Sequence, residues 1–394
     1  LDIAGSNLIG EYGTQEIANN ATTTITYDNS YTDPIVVASV RYPYSVTNGD
    51  QVAARVVDKQ AGQFDVLIYD FDGDATGSST LDYIVMEAGN YLIDTGGSEG
   101  LRVFASSTLV DSTQSQGGGG GNPGGPTFNF PTEFSSDPMV MAMVTTNNSP
   151  QWVVASVYSG NNAGVPPVST QVQVYLNDNL DSNDGPTDDH PTAEQIDIIA
   201  FDIGDGTNNG VDFRVTRNGE VNVGGTFPDT ISLTPAMSAP PAFTAVQLLT
   251  NLGADGGYAL VDTDQTTSAS EIWVAVDEGG TTGSRGHRDE LVGGIAFANS
   301  NGDIIRSGNG QITSTAVDFD DAKVGNAWGE VDWSSSGDVT VRVQYDTGSG
   351  FQNIPDSALP GNSAGFSSGP INILSLDTSL YNRLRLTASL TGVD

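Results

Sequence analysis

The stretch Thr24-Ile-Thr-Tyr-Asp-Asn-Ser-Tyr-Thr-Asp-Pro-Ile-Val-Val-Ala38 contains an alternating run, a polar segment that ends in proline, and an apolar run. Alternation with a period of two is typical of a half-buried β-strand, and proline among small polar residues favours a turn. The stretch therefore predicts two strands joined by a turn whose entry the proline fixes.

Two later stretches repeat this pattern. They run from Phe128 to Ala142 and from Ile231 to Ala245, and their prolines Pro138 and Pro241 follow Pro34 at spacings of 104 and 103 residues. Further alternating runs follow in each copy, and polar clusters separate them at intervals of about 8–12 residues, as in β-sandwiches. We therefore expect an all-β fold of tandem antiparallel β-sandwich domains.

Composition predicts the domain boundaries. The segment 116–126 contains five consecutive glycines, which favours a flexible linker, although a long surface loop within one domain is the other interpretation. We expect sandwich repeats over 1–115, 127–226 and 227–308, the third of them degenerate. The pattern breaks after that point, which predicts a separate, smaller β domain over 309–394.

The charge of the chain limits its environment and partners. The 394 residues include 49 Asp and Glu against 13 Lys and Arg, for a net charge of -36, and Lys59 and Lys323 are the two lysines. Like charges oppose compaction in dilute salt, whereas a screening length of ~3 Å at 1 M removes most of the repulsion. The composition favours a halophilic protein over a merely acidic secreted one. It argues against binding to nucleic acid or to anionic membrane surfaces, since both need a basic face.

Residue types and sequence features that the chain lacks exclude further classes of function. The chain has no Cys, which excludes disulfides, thiolate metal sites and thiol nucleophiles. It has no run of 18 apolar residues, so no membrane-spanning helix and no membrane insertion are predicted. The first residue is Leu1 rather than Met, which favours removal of an N-terminal segment. We expect an extracellular, cell-surface or virion location.

Several segments of the first copy resemble a known domain. These are Glu11-Tyr-Gly-Thr14, Thr24 to Ala38, Ala54-Arg-Val56, Gln63 to Ile68 and Tyr83 to Ala88. Together they resemble the H-type lectin-like β-sandwich domain of secreted, cell-surface and phage-associated proteins, best over 8–108, less well over 126–218 and faintly over 228–303. The C-terminal part resembles small β modules of prokaryotic surface proteins. The resemblance implies oligomers that bind galactose-type sugars, and no sugar-contacting residue can be matched motif for motif.

Acidic loops are candidate metal sites. Asp70, Asp72 and Asp74 lie at alternate positions, and Asp82 follows them. Hard carboxylate ligands at this spacing suit Ca²⁺, although no Glu stands at position 12 of a full calcium loop. The alternative is a solvated acidic loop. The corresponding loop of the second copy, Asp178 to His190, supports the same pair of interpretations.

Catalytic patterns are weak. His190 and His287, the two histidines, stand in acidic segments, and no Gly-x-Ser-x-Gly elbow is present. A glycosidase that uses two carboxylates remains an alternative, but no pair is singled out. We expect that the protein is not an enzyme.

Aromatic residues are candidate sugar platforms. Trp152, Trp273, Trp328 and Trp333 lie in strand-like sequence, where packing in a core is the more common role. Surface contacts are expected among a set of tyrosines, namely Tyr31, Tyr42, Tyr44, Tyr69, Tyr91 and Tyr158.

Three functions are compatible with these features. The leading hypothesis is a non-enzymatic structural and adhesion protein of a surface appendage, filament or virion fibre, which self-assembles and has cell-surface glycans as candidate ligands. The second is a filament or capsid-decoration subunit without a ligand. The third is a secreted glycosidase.

Overall fold

The structure, a computed structural model, describes residues 8–43, 52–70, 77–97, 100–111, 124–148, 152–160, 164–177, 192–221, 229–250, 257–278, 289–307, 310–314, 316–319, 327–333, 338–348 and 350–391. Within these ranges the chain forms strands and turns, and no residue is helical. The predicted all-β fold of antiparallel sheets is confirmed.

The chain divides into two compact units. The larger unit comprises residues 8–97 and 101–306. It is called the ring below, because pairing of its last strand with its first closes a cycle. The smaller, called the C-terminal unit, is built around residues 307–394. This division lies close to the boundary at 308/309 that the sequence predicts.

The described part of the ring contains three sets of seven strands. Copy 1 contains β1 (Leu8–Ala18), β2 (Thr22–Thr26), β3 (Pro34–Tyr42), β4 (Val52–Gln60), β5 (Gln63–Asp70), β6 (Ser78–Glu87) and β7 (Gly89–Ile93). Copy 2 contains β8 (Leu101–Val110), β9 (Thr127–Asn129), β10 (Met139–Val144), β11 (Val154–Tyr158), β12 (Gln171–Asn177), β13 (Glu194–Phe201) and β14 (Gly204–Asn208). Copy 3 contains β15 (Val211–Val221), β16 (Asp229–Ser232), β17 (Phe243–Leu248), β18 (Gly257–Asp262), β19 (Glu271–Glu278), β20 (Glu290–Phe297) and β21 (Gly302–Ile305).

The three copies have the same pairing pattern. In each, the first and third strands flank the sixth, and the second and fourth strands flank the fifth. The register is also repeated, because the equivalent residues Ile25, Phe128 and Ile231 pair with Phe64, Val172 and Ile272. Strand pairing and register therefore repeat in all three copies.

The seventh strand of each copy leaves its own sandwich. It pairs with the first strand of the next copy, as β7 with β8, β14 with β15, and β21 with β1. The last of these pairs joins copy 3 to copy 1, so the cycle closes. Each sandwich therefore has a set of four strands around its sixth strand, one of them from the preceding copy, and a set of three strands around its fifth. Strand β18 of copy 3 also pairs with β3 of copy 1, in parallel, so two of these sets form one seven-stranded sheet.

The structure differs here from the predicted boundaries of the sandwiches, 1–115, 127–226 and 227–308. Strand β8 precedes the glycine-rich segment 116–126 but pairs with β13 of copy 2, so that segment connects two strands of one copy. Of the segment itself, residues 124–126 are among those described. Sequence alternation identifies a strand but does not say which strand it pairs with, and this is why the predicted boundaries are displaced by one strand.

The centre of the ring is a shared core. The third strands, β3, β10 and β17, contact one another there. Met139 and Met141 of β10 join the central cluster, whereas Val140 and Ala142 join the core of copy 2 alone. Strand β10 is thus buried on both faces, which is the physical reason for its unbroken apolar sequence.

The C-terminal unit has its own core. Its strands are β22 (Gly310–Thr313), β23 (Val317–Asp318), β24 (Glu330–Val331), β25 (Asp338–Asp346), β26 (Phe351–Asn353), β27 (Ile371–Asn372) and β28 (Arg383–Thr391). The core includes Val341, Val343 and Ile354. Asn362 is fully buried and supports two strands: its Oδ1 accepts from Val343 N at 2.8 Å, and its Nδ2 donates to the carbonyls of Val343 and Ile354 at 2.8 Å.

Candidate functional site: the junctions between the copies

Positive side chains lie at equivalent places in the three junctions. The carbonyl of the residue before or at the start of the third strand accepts from Lys59 Nζ at 2.9 Å on Pro34, from Arg217 Nη1 at 3.2 Å on Pro138, and from Arg41 Nη2 at 2.6 Å on Ala242. We number the junctions by these carbonyls: Pro34 belongs to the first (copies 1 and 2), Pro138 to the second (copies 2 and 3), and Ala242 to the third (copies 3 and 1). A chain with 13 positive residues thus places one at each junction.

Two junctions also contain a buried carboxylate. Asp197 at the first junction accepts from Lys59 Nζ at 2.7 Å and from Val36 N at 2.8 Å. Asp82 at the third accepts from Arg41 Nη2 at 2.8 Å and from Thr244 N at 3.2 Å. Val36 and Thr244 are equivalent, buried residues on the edge of a third strand that faces the neighbouring copy. Each carboxylate therefore caps the edge of the neighbouring copy, which would otherwise present unpaired N–H groups.

The second junction lacks this carboxylate. In the register of the sixth strands, Gly293 stands where Asp82 and Asp197 stand. A Cβ at Gly293 would come within 2.9 Å of Leu249 and Met139, so the backbone here is packed against apolar side chains. The cation Arg217 is present, but its acidic neighbour is Asp137, at 3.7 Å and 52% exposed.

Burial has the largest effect on the pKa values of the carboxylates Asp82 and Asp197. It raises the pKa of Asp82 above its ordinary value, while Arg41 acts in the opposite direction. It likewise raises the pKa of Asp197, against the effect of Lys59. Both carboxylates therefore depend on their cations to remain ionised in the interior.

The first junction has a second buried pair. Arg55 Nη2 donates to Glu194 Oε1 at 2.8 Å, and the two side chains are 1% and 0% exposed. Burial lowers the pKa of Arg55, an effect that Glu194 opposes. The Arg55 guanidinium lies 5.8 Å from the ring centre of Trp152, which stacks on Tyr69 at 4.8 Å.

A second row of contacts caps the third strands. Ser39 Oγ accepts from Val246 N at 3.2 Å, and Gln247 Oε1 accepts from Ala142 N at 3.3 Å. Met143, at the equivalent position of copy 2, carries no oxygen. Each junction is thus chemically different from the other two, which favours one cyclic order of the copies.

The seventh strands meet through Asn208. Its Nδ2 donates to the carbonyls of Asp94 at 2.9 Å and Ile305 at 2.8 Å, and its Oδ1 accepts from Ile305 N at 3.0 Å. One 1%-exposed side chain therefore connects all three copies.

A small cavity lies where the third and fourth strands of the three copies meet. Its volume is about 50 Å³, and small residues such as Ala38, Ala155 and Ala259 line it. This is space for one or two water molecules, and is too small for an organic ligand.

The predicted calcium ligands are not brought together among the described residues. Asp82 lies in the middle of β6 with its carboxylate engaged by Arg41, Thr14 and Thr244. Asp70 ends β5, while Asp72 and Asp74 lie outside the described residues, as do His190, His287 and the loop Asp178 to His190. Within the part of the chain that the structure describes, no three His, Asp or Glu side chains are grouped so that they could hold a metal ion. The calcium site remains a prediction.

The tyrosines differ from the expectation of surface contacts. Tyr31, Tyr42 and Tyr158 are buried, at 5%, 8% and 0% exposed. Tyr31 and Tyr42 pack into the large core cluster, and Tyr158 packs against Tyr175. Tyr69 is the exposed member of the set that the structure covers, at 38%, and Tyr44 lies outside the described residues. Sequence reasoning did not identify Lys59, Arg217 or Asn208. The scarcity of lysine in an acidic chain is the signal that points to Lys59.

Comparison with protein-family models, with curated proteins and with solved structures finds no match to this chain. Among the residues that the structure covers, no helix is long and apolar enough to cross a membrane.

Proposed function

We propose that this protein is a non-enzymatic, extracellular structural and adhesion protein, a subunit of a surface appendage, filament or virion fibre of a halophilic microbe or its virus. The observation that carries the proposal is the closed ring. Pairing of β21 with β1 joins the last copy to the first, so one polypeptide builds the kind of cyclic body that three identical subunits otherwise form. A rigid body of this kind suits a repeated building block.

The distribution of charge supports a role in concentrated salt. Five of the positive residues in the ring are at most 18% exposed, because they are engaged at junctions and turns: Arg41, Arg55, Lys59, Arg214 and Arg217. Because these cations are bonded inside the ring, they do little to offset the excess of acidic residues at its surface. Salt at about 1 M screens the repulsion between such surfaces and permits them to approach.

Carbohydrate is the proposed ligand of the adhesion function. Tyr69, 38% exposed, stacks on Trp152 with an angle of 19° between the rings. Aromatic rings at a surface are suited to the apolar faces of sugars because they combine apolar area with a polar edge. This feature favours adhesion over the alternative of a filament subunit without a ligand.

Electron microscopy of the full chain tests the structural proposal. In molar salt we expect fibres or regular oligomers, and sedimentation velocity should show species larger than the monomer. In dilute buffer the repulsion returns, and the assemblies should dissociate. A strictly monomeric chain at every salt concentration would overturn the assembly proposal.

A glycan array in molar salt tests adhesion separately. Tyr69→Ala is the variant and Tyr381→Ala, in the C-terminal unit, is the control. Binding that Tyr69→Ala abolishes and Tyr381→Ala preserves supports a sugar site at the first junction. An array without signal would count against the adhesion part of the proposal and leave the assembly part to the microscopy.

A further inference from the structure

The second junction contains an open cleft, and the other two junctions show how its cation differs from theirs. Its volume is about 450 Å³, within the range of small-molecule sites. The lining comes from copies 2 and 3 and includes Ser136, Asp137, Thr234, Arg214 and Arg217. Arg214 is fully engaged, since its guanidinium bonds the carbonyls of Phe213, Pro235 and Ala236 and the carboxylate of Asp212.

Arg217 is the cation of this cleft whose charge is least compensated. Its Nη1 donates to the carbonyls of Pro138 at 3.2 Å and Pro167 at 2.8 Å, which are neutral groups. Its side chain is 10% exposed, and the Asp137 carboxylate at 3.7 Å is half in solvent. Burial lowers the pKa of Arg217, which is consistent with a charge held away from water.

At the first and third junctions, a carboxylate of the protein itself pairs with the corresponding cation. Lys59 meets Asp197, and Arg41 meets Asp82, both carboxylates being 0% exposed. At the second junction Gly293 offers no carboxylate, and the cation lines an open cleft instead. A guanidinium binds a carboxylate through parallel N–H donors, and this contact is strong where water is excluded.

We propose that the cleft of the second junction binds a sugar that carries a carboxylate, of the uronic acid class, with its carboxylate on Arg217. The exposed hydroxyls of Ser136 and Thr234 line the same cleft and suit the hydroxyls of a sugar. The volume accommodates a monosaccharide. This inference deepens the adhesion part of the proposed function and rests on it for the source of the ligand, but the site is testable without assembly.

The test is calorimetric titration of the full chain with glucuronate, with glucose and acetate as comparison ligands, in salt at which the chain is folded. We expect saturable binding of glucuronate, at least tenfold weaker binding of acetate, and no binding of glucose. Arg217→Gln should weaken glucuronate binding at least tenfold. Asp137→Asn should strengthen it severalfold, because it removes a carboxylate that competes for Arg217.

Arg102→Gln, on β8, makes the same change of charge elsewhere and should leave the affinity unchanged. Each variant is first checked for folding by near-UV circular dichroism; if Arg217→Gln does not fold, the opposite expectation for Asp137→Asn decides. Glucuronate that does not bind, or that binds equally to folded Arg217→Gln and wild type, overturns the site. Neither result depends on whether fibres form, so this failure is distinguishable from failure of the assembly proposal.

Discussion

The ring and the C-terminal unit use their ion pairs differently. In the ring, Arg55 with Glu194 and Lys59 with Asp197 are almost completely buried and connect different copies. In the C-terminal unit, Arg383 is 47% exposed and lies 3.2 Å from Asp318 and 3.3 Å from Asp346 on neighbouring strands. Buried pairs are costly to break and define which surfaces meet, whereas exposed pairs contribute little. The comparison indicates that the ring, rather than the C-terminal unit, needs charge to define its assembly.

The two units also use buried asparagine in parallel ways. Asn208 and Asn362 each accept from the N–H and donate to the carbonyl of one residue, and each donates to a second carbonyl. Asn362 connects segments at most 19 residues apart, while Asn208 connects segments 97 and 114 residues apart. The same chemistry therefore supports a local turn in one unit and closure of the ring in the other.

Removal of a buried cation should have the largest effect. Lys59→Met leaves Asp197 ionised in the interior without its partner, and we expect a loss of about 3–5 kcal/mol in the free energy of unfolding of the ring. Denaturant unfolding followed by tryptophan fluorescence measures it. Replacing both partners, as Lys59→Met with Asp197→Leu, should recover most of the loss. If the double variant is as unstable as the single one, the loss comes from packing and not from charge.

The loss of stability in Lys59→Met should depend on pH. Burial raises the pKa of Asp197 in the folded protein above the unfolded value of about 3.9, so the native state binds its proton more readily. The resulting stabilisation is complete below the unfolded pKa and is lost as the pH rises through the folded pKa. Without Lys59 the folded pKa rises further, so the penalty of Lys59→Met relative to wild type should be largest near neutral pH and shrink toward about pH 4. A penalty that is constant with pH would contradict this account.

Asn208→Ala should have the next largest effect. It removes the Asn208 bonds to the carbonyl of Asp94 and to the N–H of Ile305, and one of the two donors to the carbonyl of Ile305, which Asp94 N still bonds at 3.1 Å. We expect a loss of about 2–4 kcal/mol in the stability of the ring. The matched variant Asn362→Ala should destabilise the C-terminal unit by a similar amount. Hydrogen exchange distinguishes them: Asn208→Ala should reduce protection on the seventh strands of all three copies, and Asn362→Ala only around Val343 and Ile354. Loss of protection confined to β14 in Asn208→Ala would show that the three copies are not coupled through this side chain.

A smaller effect is expected at the edge of the third strand. Gln247→Met removes the acceptor of Ala142 N while keeping the volume of the side chain, and should cost about 1–2 kcal/mol. Gln352→Met, on β26 of the C-terminal unit, makes the same chemical change at an exposed position and should cost less than about 0.5 kcal/mol. Thermal unfolding monitored by circular dichroism compares the two. Equal shifts in Tm would mean that capping of this edge does not stabilise the junction.

The sequence predicts the strands and the repeat, because both depend on local alternation around residues such as Ile25, Phe128 and Ile231. It does not predict the ring, because the partner of β8 or β21 is chosen by contacts far apart in the chain. The unbroken apolar stretches Met139–Val144 and Ile198–Phe201 contain a partial signal, since strands buried on both faces lose their alternation. The junction cations are not predictable from local pattern, because Lys59 and Arg217 stand at different positions of their copies and converge only in space.

Removing the exposed ion pairs of Arg383 in the C-terminal unit should have the smallest effect. Arg383→Met removes the contacts to Asp318 and Asp346, and the stability of this unit should change by less than about 1 kcal/mol in dilute buffer. In salt at about 1 M the change should vanish, because the screening length of ~3 Å is about as short as the contacts of this solvated pair. The loss in Lys59→Met should persist under the same conditions, since solvent ions do not reach Asp197. Denaturant titrations of both variants at the two salt concentrations measure this contrast, and a salt-independent loss in Arg383→Met would contradict it, because the two units would then hold their charges in the same way.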